Sequence, residues 1–108
     1  MFEIETIKPE KALEIIETRY PTGLFIAKDG EKYIAIDNMT ADAWTEEFYS
    51  LYVANCWLME TMDTDEAHEV DDCIEKITGF VQLWNKDLRW EQCHELAEHK
   101  IIELRKGE

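Results

Sequence analysis

The dipeptide Asp29-Gly30 is the feature of this sequence that most restricts its fold. It separates two runs rich in β-forming residues, GLFIAK and EKYIAID, and Asp-Gly between such runs is a strong short-range signal for a β-hairpin. A two-residue turn at this dipeptide would pair Lys28 with Glu31 and so set the register of both strands. Both faces of that hairpin are apolar, so we expect cover on both sides, or on one side plus a partner.

The segments on either side of the hairpin predict a helix before it and a strand after it. Residues 6–20 read TIKPEKALEIIETRY, with Pro9 in the first turn and apolar residues at helical spacing. This helix must end by Tyr20, because a residue that precedes proline is pushed out of the α region. Residues 43–49 read AWTEEFY, and the recurrence of Trp44, Glu46 and Phe48 at every second position predicts a third strand.

Residues 36–48, IDNMTADAWTEEF, run from the end of the predicted second strand, through a connecting loop, into the third strand. Residues 40–42 supply the hydroxyl and carboxylate groups that stabilise a chain reversal. A calcium loop of the EF type needs oxygen ligands at alternate positions and a central glycine, whereas Met39 and Ala41 stand at ligand positions here. We therefore interpret this segment as a structural loop without a metal site.

This string also carries a resemblance to known proteins. Together with the preceding GLFIAKDGEKY and the Cys-Trp-Leu that follows, IDNMTADAWTEEF resembles a module in small uncharacterised proteins of phages and mobile elements of Gram-positive bacteria. The resemblance covers residues 22–58 and implies such an origin and a β-meander followed by a helix, but no catalytic residues. The module usually has glycine where Ala41 stands, so we expect this turn to need no left-handed residue, or to be of another type.

Three helices are predicted after the sheet. Ser50 is placed to cap residues 51–62, a segment apolar nearly all round that forms the centre of the core or exposes a stripe to another molecule. Asp63 resembles the start of a capping box. Apolar residues then follow at spacings of three and four through Gly79, which either kinks or breaks this helix. A last helix begins near Asp87.

The predicted fold is α+β, with an N-terminal helix, a three-stranded antiparallel β-meander and three further helices, the last two forming a helical hairpin. A chain of 108 residues has the usual size of one domain, so we expect a single domain over residues 1–108. No apolar run approaches the roughly 18 residues of a membrane span, and acidic residues stand where a signal peptide has basic ones. We therefore expect a cytoplasmic protein without membrane contact.

Charge is distributed unevenly along the chain. The formal net charge is -14, from 25 acidic and 11 basic residues. Residues 33–75 contain twelve acidic residues and no lysine or arginine, so this interval carries -12 of the -14. A field of that sign repels phosphate and therefore disfavours direct binding of nucleic acid or of anionic membranes, whereas it attracts a basic protein. Solubility alone is the competing explanation for the charge.

Two sets of acidic residues are the candidate partner-binding residues. The first lies along the predicted helix that starts near residue 63: Asp63, Asp65, Glu69, Asp72 and Glu75. The second lies in the loop and the third strand: Asp37, Asp42, Glu46 and Glu47. Together with the phage or mobile-element origin that the resemblance implies, they predict an inhibitor that mimics phosphates in the basic groove of a host nucleic-acid-binding defence protein, as an anti-CRISPR does. The alternative is a homo-oligomeric, most simply dimeric, structural or regulatory accessory protein.

The remaining motifs do not indicate catalysis. In residues 94–99, HELAEH, the histidines stand five apart rather than the four of HExxH, so on a helix the two rings diverge. Cys56, Cys73 and Cys93 match neither a disulfide framework nor paired CxxC hooks, which favours buried free thiols. No glycine-rich phosphate loop is present. We expect a non-enzymatic protein with no catalytic residues, no metal and no cofactor.

Overall fold

A computed structural model describes residues 3–106 of the chain. Its elements are β1 (Ile4–Ile7), α1 (Pro9–Thr18), β2 (Leu24–Asp29), β3 (Lys32–Asp37), β4 (Trp44–Phe48), α2 (Leu51–Leu58), α3 (Thr64–Trp84) and α4 (Trp90–Lys106). The predicted α+β class is confirmed. Residue contacts group the chain into two compact units, one up to Ala67 and one from His68, and the single domain stays a prediction. Among residues 3–106, no helix combines the length and apolar character that crossing a bilayer requires.

The four strands form one mixed sheet in the order β1-β2-β3-β4. β1 runs parallel to β2, whereas β2–β3 and β3–β4 are antiparallel pairs. The prediction that the first helix begins at residue 6 was wrong, because residues 4–7 form β1 instead. Lys8 precedes Pro9 and is extended, with φ -83° and ψ 156°, as a residue before proline usually is. The helix can therefore begin no earlier than Pro9.

The β2–β3 hairpin has a register two residues away from the predicted one. Asp29 pairs with Lys32, so the turn residues are Gly30 and Glu31. Gly30 has φ +65°, a left-handed conformation that glycine adopts without a steric penalty. A shift of two residues leaves every side chain on its predicted face of the sheet, whereas a shift of one would reverse all of them.

Helices cover both faces of the sheet, as predicted. On one face Ile15 of α1 packs into a buried cluster with Phe25 and Ile36. On the other face α2 packs against β3 and β4, and the Trp57 ring lies 6.0 Å from the Phe48 ring, centroid to centroid. Full burial of each such side chain stabilises the fold by roughly 1.5–3 kcal/mol. These two clusters make the unit up to Ala67 a two-sided core.

The predicted N-terminal caps of α2 and α3 are confirmed. The Ser50 hydroxyl accepts a hydrogen bond from the Val53 amide at 3.2 Å, and the Asp63 carboxylate accepts one from the Glu66 amide at 2.8 Å. Both bonds satisfy amides that a helix leaves without an internal partner. Local sequence therefore decides where these two helices start.

α3 and α4 lie against each other in the unit from His68, as the predicted helical hairpin requires. His94 Nε2 of α4 lies 2.9 Å from Glu75 Oε1 of α3. α3 passes through Gly79 without a break. Its most buried residues are Ala67, Asp71, Ile74 and Thr78. Of the predicted apolar row within α3, Ile74 is buried and Val70, Ile77 and Val81 are half-buried. The prediction was wrong for Trp84, which is exposed, because the most buried row is shifted to small and polar side chains.

Replacing Gly79 by alanine should stabilise the protein by about 0.5–1 kcal/mol, because glycine weakens a helix interior by that amount. A Cβ at Gly79 would meet no atom within 4 Å outside the neighbouring helical backbone. The matched control is Gly30→Ala, which should destabilise because of the positive φ at that turn. Urea unfolding followed by circular dichroism measures both free energies. A destabilised Gly79→Ala variant would argue against the continuous helix.

Candidate partner-binding surfaces

The loop between β3 and β4 is organised by the buried side chain of Asn38, which has 0% exposure. Its Nδ2 donates to the Pro21 carbonyl at 2.8 Å, and its Oδ1 accepts from the Ala43 amide at 3.0 Å. Its backbone amide and carbonyl exchange hydrogen bonds with Gly23, at 2.8 and 3.2 Å. Asn38 therefore ties the segment before β2 to both ends of the loop. This arrangement gives the loop the structural role that its turn residues predict.

From the sequence, the turn at Ala41 is expected to need no left-handed residue, or to be of another type. The first of these expectations was wrong. Ala41 has φ +61° and Ala43 has φ +48°. A side chain with a Cβ costs roughly 1–2 kcal/mol in this conformation. The reason is geometric: the chain must reverse between Asn38 and Ala43, and hydrogen bonds hold both of those residues. A glycine at residue 41 would make the same turn without the steric penalty.

A cavity of about 390 Å³ lies where this loop meets the end of α2, and we call it the Glu60 pocket. Its apolar lining includes the buried Leu24 and Leu58. Three further apolar side chains reach solvent: Met39 is 39%, Met59 46% and Trp44 56% exposed. The pocket lies entirely within the unit up to Ala67. Its lining therefore combines buried aliphatic side chains with apolar side chains that are partly exposed to solvent.

Three carboxylates surround the same pocket: Asp37, Asp42 and Glu60. Asp37 Oδ1 accepts from the Met39 amide at 3.2 Å, and Asp42 Oδ2 accepts from the Thr40 hydroxyl at 2.7 Å. These bonds orient the two aspartates. Within the described part of the chain, no lysine or arginine nitrogen lies at ion-pair distance from any of the three. The pocket is thus apolar inside and negatively charged at its edge.

Glu60 is the pocket residue that sequence reasoning missed. It follows Met59, the C-cap of α2, and has φ +61°. The Glu60 amide donates to the Trp57 carbonyl at 3.1 Å, and the Thr61 amide to the Cys56 carbonyl at 2.9 Å. This is a Schellman motif with glutamate at the left-handed position that usually holds glycine. The only sequence signal is an acidic residue within the predicted apolar segment 51–62, where α2 ends earlier than predicted, at Leu58.

The other acidic residues predicted in this region do not line the pocket. Glu46 accepts a hydrogen bond from Trp44 Nε1 at 3.0 Å. Glu47 lies 3.7 Å from the Lys32 ammonium on the neighbouring strand. The structure therefore brings Asp37 and Asp42 together with Glu60, and not with the two glutamates of β4.

The acidic residues predicted on α3 fall into three different environments. Asp63 is exposed and caps the helix. Asp65, Glu69 and Asp72 are exposed on one edge of α3, at successive spacings of four and three residues. Glu75 is half-buried and contacts His94. Only the middle three, which we call the α3 acidic edge, form a continuous row of solvent-exposed carboxylates. Within residues 3–106, no lysine or arginine nitrogen lies at ion-pair distance from them.

The histidines and cysteines occupy separate environments. His94 faces Glu75, whereas His99 is exposed and lies 3.9 Å from Glu103 on its own helix. The two rings diverge, as their five-residue spacing predicts. Cys93 is buried and Cys56 half-buried, but the prediction of a buried thiol was wrong for Cys73, which is exposed. The reason is the shifted buried row of α3, because Cys73 lies about 100° around the helix from Ile74.

Comparison with known proteins finds no matching family model, no matching curated protein and no matching solved structure. The resemblance of residues 22–58 to a phage and mobile-element module stays a prediction. Any functional proposal therefore rests on the chain's own residues.

Replacing Asn38 by alanine should destabilise the protein by about 2–3 kcal/mol, since the Pro21 carbonyl and the Ala43 amide lose their partners. The control in the same loop is Thr40→Ala, which removes one exposed hydroxyl and should change stability by less than about 0.5 kcal/mol. Urea unfolding followed by tryptophan fluorescence compares the two. Equal stability of both variants would show that Asn38 does not organise the loop.

Proposed function

We propose that this chain is a non-enzymatic binding protein whose carboxylates compete with nucleic-acid phosphates for the basic groove of a nucleic-acid-binding protein. The α3 acidic edge is the observation that carries this proposal. The first and last of its three carboxylates lie seven positions apart on α3, or roughly 10 Å at 1.5 Å per residue. Successive carboxylates are about 5 Å apart along the helix axis, whereas one strand of duplex DNA presents a charge about every 3.4 Å along its axis. The helix edge therefore has a linear charge density of the same order.

The concrete form of the proposal is a phage or mobile-element inhibitor of a host defence protein, comparable to an anti-CRISPR. The resemblance of residues 22–58 supports the origin, and the net charge of -14 supports a basic partner. Exposed carboxylates that form no ion pair with the lysines and arginines of residues 3–106 would steer the partner into contact, so association would be fast and sensitive to salt. The protein would act in the host cytoplasm without contacting nucleic acid or membrane directly.

Neutralising the α3 acidic edge should abolish capture of the basic partner. The variant is Asp65→Asn with Glu69→Gln and Asp72→Asn, immobilised beside the wild type and incubated with a nuclease-treated lysate of a Gram-positive bacterium. We expect the wild type to retain a nucleic-acid-handling protein that elutes with salt, because salt screens exposed charges. The eluted protein should then lose bound DNA when the wild type is added, measured by gel shift.

The matched control removes three exposed charges outside the acidic interval, by Glu17→Gln with Glu31→Gln and Glu95→Gln. This control should retain the partner about as well as the wild type, because general charge is lowered equally while the α3 edge is intact. If the control and the α3 variant lose the partner to the same extent, the helix edge is not the contact. Retention of no protein that binds nucleic acid would refute the proposal itself.

A second candidate function, assembly into a homo-oligomer, is favoured by apolar side chains at the C-terminal end of α3. Phe80 is 65%, Leu83 68% and Trp84 84% exposed. Successive helix positions differ by 100°, so the three side chains lie within about 100° of arc on one side of the helix. Exposed apolar clusters of this kind are typical of protein interfaces. These three side chains are more exposed than Leu51 and Met59 of the 51–62 segment, which are 41% and 46% exposed.

Polar substitution of that cluster should dissociate an oligomer if one forms. Static light scattering of the wild type should then give a multimeric mass that is insensitive to salt, and Phe80→Ser with Trp84→Ser should give the monomer mass. The control is Leu13→Ser with Tyr20→Ser, which removes two equally exposed apolar side chains from another part of the surface. A wild type that is monomeric up to near-millimolar concentration would exclude this function.

A further inference from the structure

The Glu60 pocket has the lining of a site for one long basic side chain. We infer that it receives the cationic side chain of an arginine or lysine from an extended basic segment of the partner. This inference rests on the proposed function in taking the partner to be basic. It goes further by assigning the desolvated contact to the β3–β4 loop and the end of α2, residues other than those of the α3 acidic edge. Three properties of the pocket carry the inference: its charge, its apolar lining and the conformation of Glu60.

The first property is the arrangement of negative charge. Asp37, Asp42 and Glu60 stand around the cavity with no lysine or arginine of the described chain at ion-pair distance. Among residues 3–106, no three His, Cys, Asp or Glu side chains come together in a way that would hold a metal ion. The carboxylates are therefore spread around the cavity instead of converging on one point. Such a spread suits the planar guanidinium of arginine or the three donors of lysine.

The second property is the apolar lining between those carboxylates. Arginine and lysine carry a cation on an aliphatic stem, and they bury the stem against apolar surface while the head stays at the edge. Met39 and Met59 offer adaptable surface for the stem, and Trp44 offers an aromatic ring for the cation. The volume of about 390 Å³ lies in the range of sites for small ligands. A bare metal ion would leave this lining unused, and a neutral ligand would leave the carboxylates unused.

The third property is that Glu60 opposes local stability in two ways. Its φ of +61° is a conformation that favours glycine. It also places a negative charge at the C-terminal end of α2, where the helix dipole is already negative. The end of α1 differs, since its left-handed residue is the C-cap Arg19, which has φ +61° and a positive charge that the helix dipole favours. A residue whose backbone conformation and charge both disfavour its own helix terminus, with no structural gain, points to a role in binding.

A labelled nona-arginine peptide, titrated into the purified chain by fluorescence anisotropy, tests the pocket. Glu60→Gln with Asp42→Asn should weaken peptide binding by about tenfold or more, the loss expected for charged hydrogen bonds in a partly desolvated site. The matched control, Glu17→Gln with Glu31→Gln, removes the same number of exposed charges and should weaken it by less than about twofold. In the wild type, the methyl NMR signals of Met39 and Met59 should shift on peptide addition.

A second pair of variants separates charge from folding. Glu60→Gly and Ala41→Gly each place glycine at a left-handed position beside the pocket and so remove a steric penalty. Both variants should therefore unfold at a higher urea concentration than the wild type. Only Glu60→Gly removes a carboxylate, so only this variant should lose peptide affinity. A stabilised Glu60→Gly variant that binds the peptide like Ala41→Gly would overturn the inference, and misfolding would not explain that result.

The remaining outcomes distinguish the pocket from the proposed function. Equal loss of peptide binding in the pocket variant and its charge-matched control means that general charge holds the peptide, which overturns the pocket. If the α3 variant loses the captured partner while the pocket variant keeps both partner and peptide, the proposed function stands and the pocket inference fails. If the pocket variant alone loses the peptide and no basic partner is captured, the pocket stands as a cation site and the proposed function fails.

Discussion

The buried amide of Asn38 is the interaction on which the candidate pocket depends. Its hydrogen bonds to the Pro21 carbonyl and the Ala43 amide join segments that lie far apart in the sequence. An unsatisfied buried partner costs roughly 1–3 kcal/mol, so the loop has one strongly preferred path. That path places Asp37, Met39 and Asp42 beside the end of α2. A binding site on a loop needs such an anchor, because a mobile loop would lose entropy each time it bound.

Among residues 3–106, four residues other than glycine have positive φ, and three of them stand beside the pocket while Arg19 ends α1. Ala41, Ala43 and Glu60 all have positive φ, and each stands where glycine would meet less steric resistance. By contrast, Ser50 and Asp63 follow the ordinary preferences of helix caps. Strained residues persist where the surrounding structure holds them, and they concentrate at functional sites. The loop and the α2 terminus thus combine backbone strain with carboxylates that form no ion pair with a lysine or arginine of residues 3–106.

The acidic interval is not one uniform surface. Asp71 is buried, Glu75 contacts His94, and Glu47 contacts Lys32. Two smaller groups of carboxylates make no ion pair with a lysine or arginine within residues 3–106: the α3 acidic edge and the edge of the Glu60 pocket. Each lies within a defined part of the fold and has a different character, since the first is fully solvated and the second adjoins apolar surface. Long-range attraction suits the first, and short-range recognition suits the second.

Features that depend on near neighbours in the chain were determined by the sequence alone. The caps at Ser50 and Asp63, the three strands of the meander and the end of α1 before Pro21 all follow from spacing and turn chemistry. The face assignment of the hairpin also followed, even though its register differed by two residues, because side chains alternate with a period of two.

Other features were decided only by the tertiary structure, because they need residues distant in sequence. The strand β1 exists by pairing with β2, and a four-residue segment shows too little pattern to predict a strand. The buried row of α3 depends on what packs against it, so hydrophobicity alone selected a neighbouring row. Glu75 meets His94 only when two helices lie side by side. The pocket joins Leu24, Asp37 and Leu58, which spacing along the chain cannot bring together.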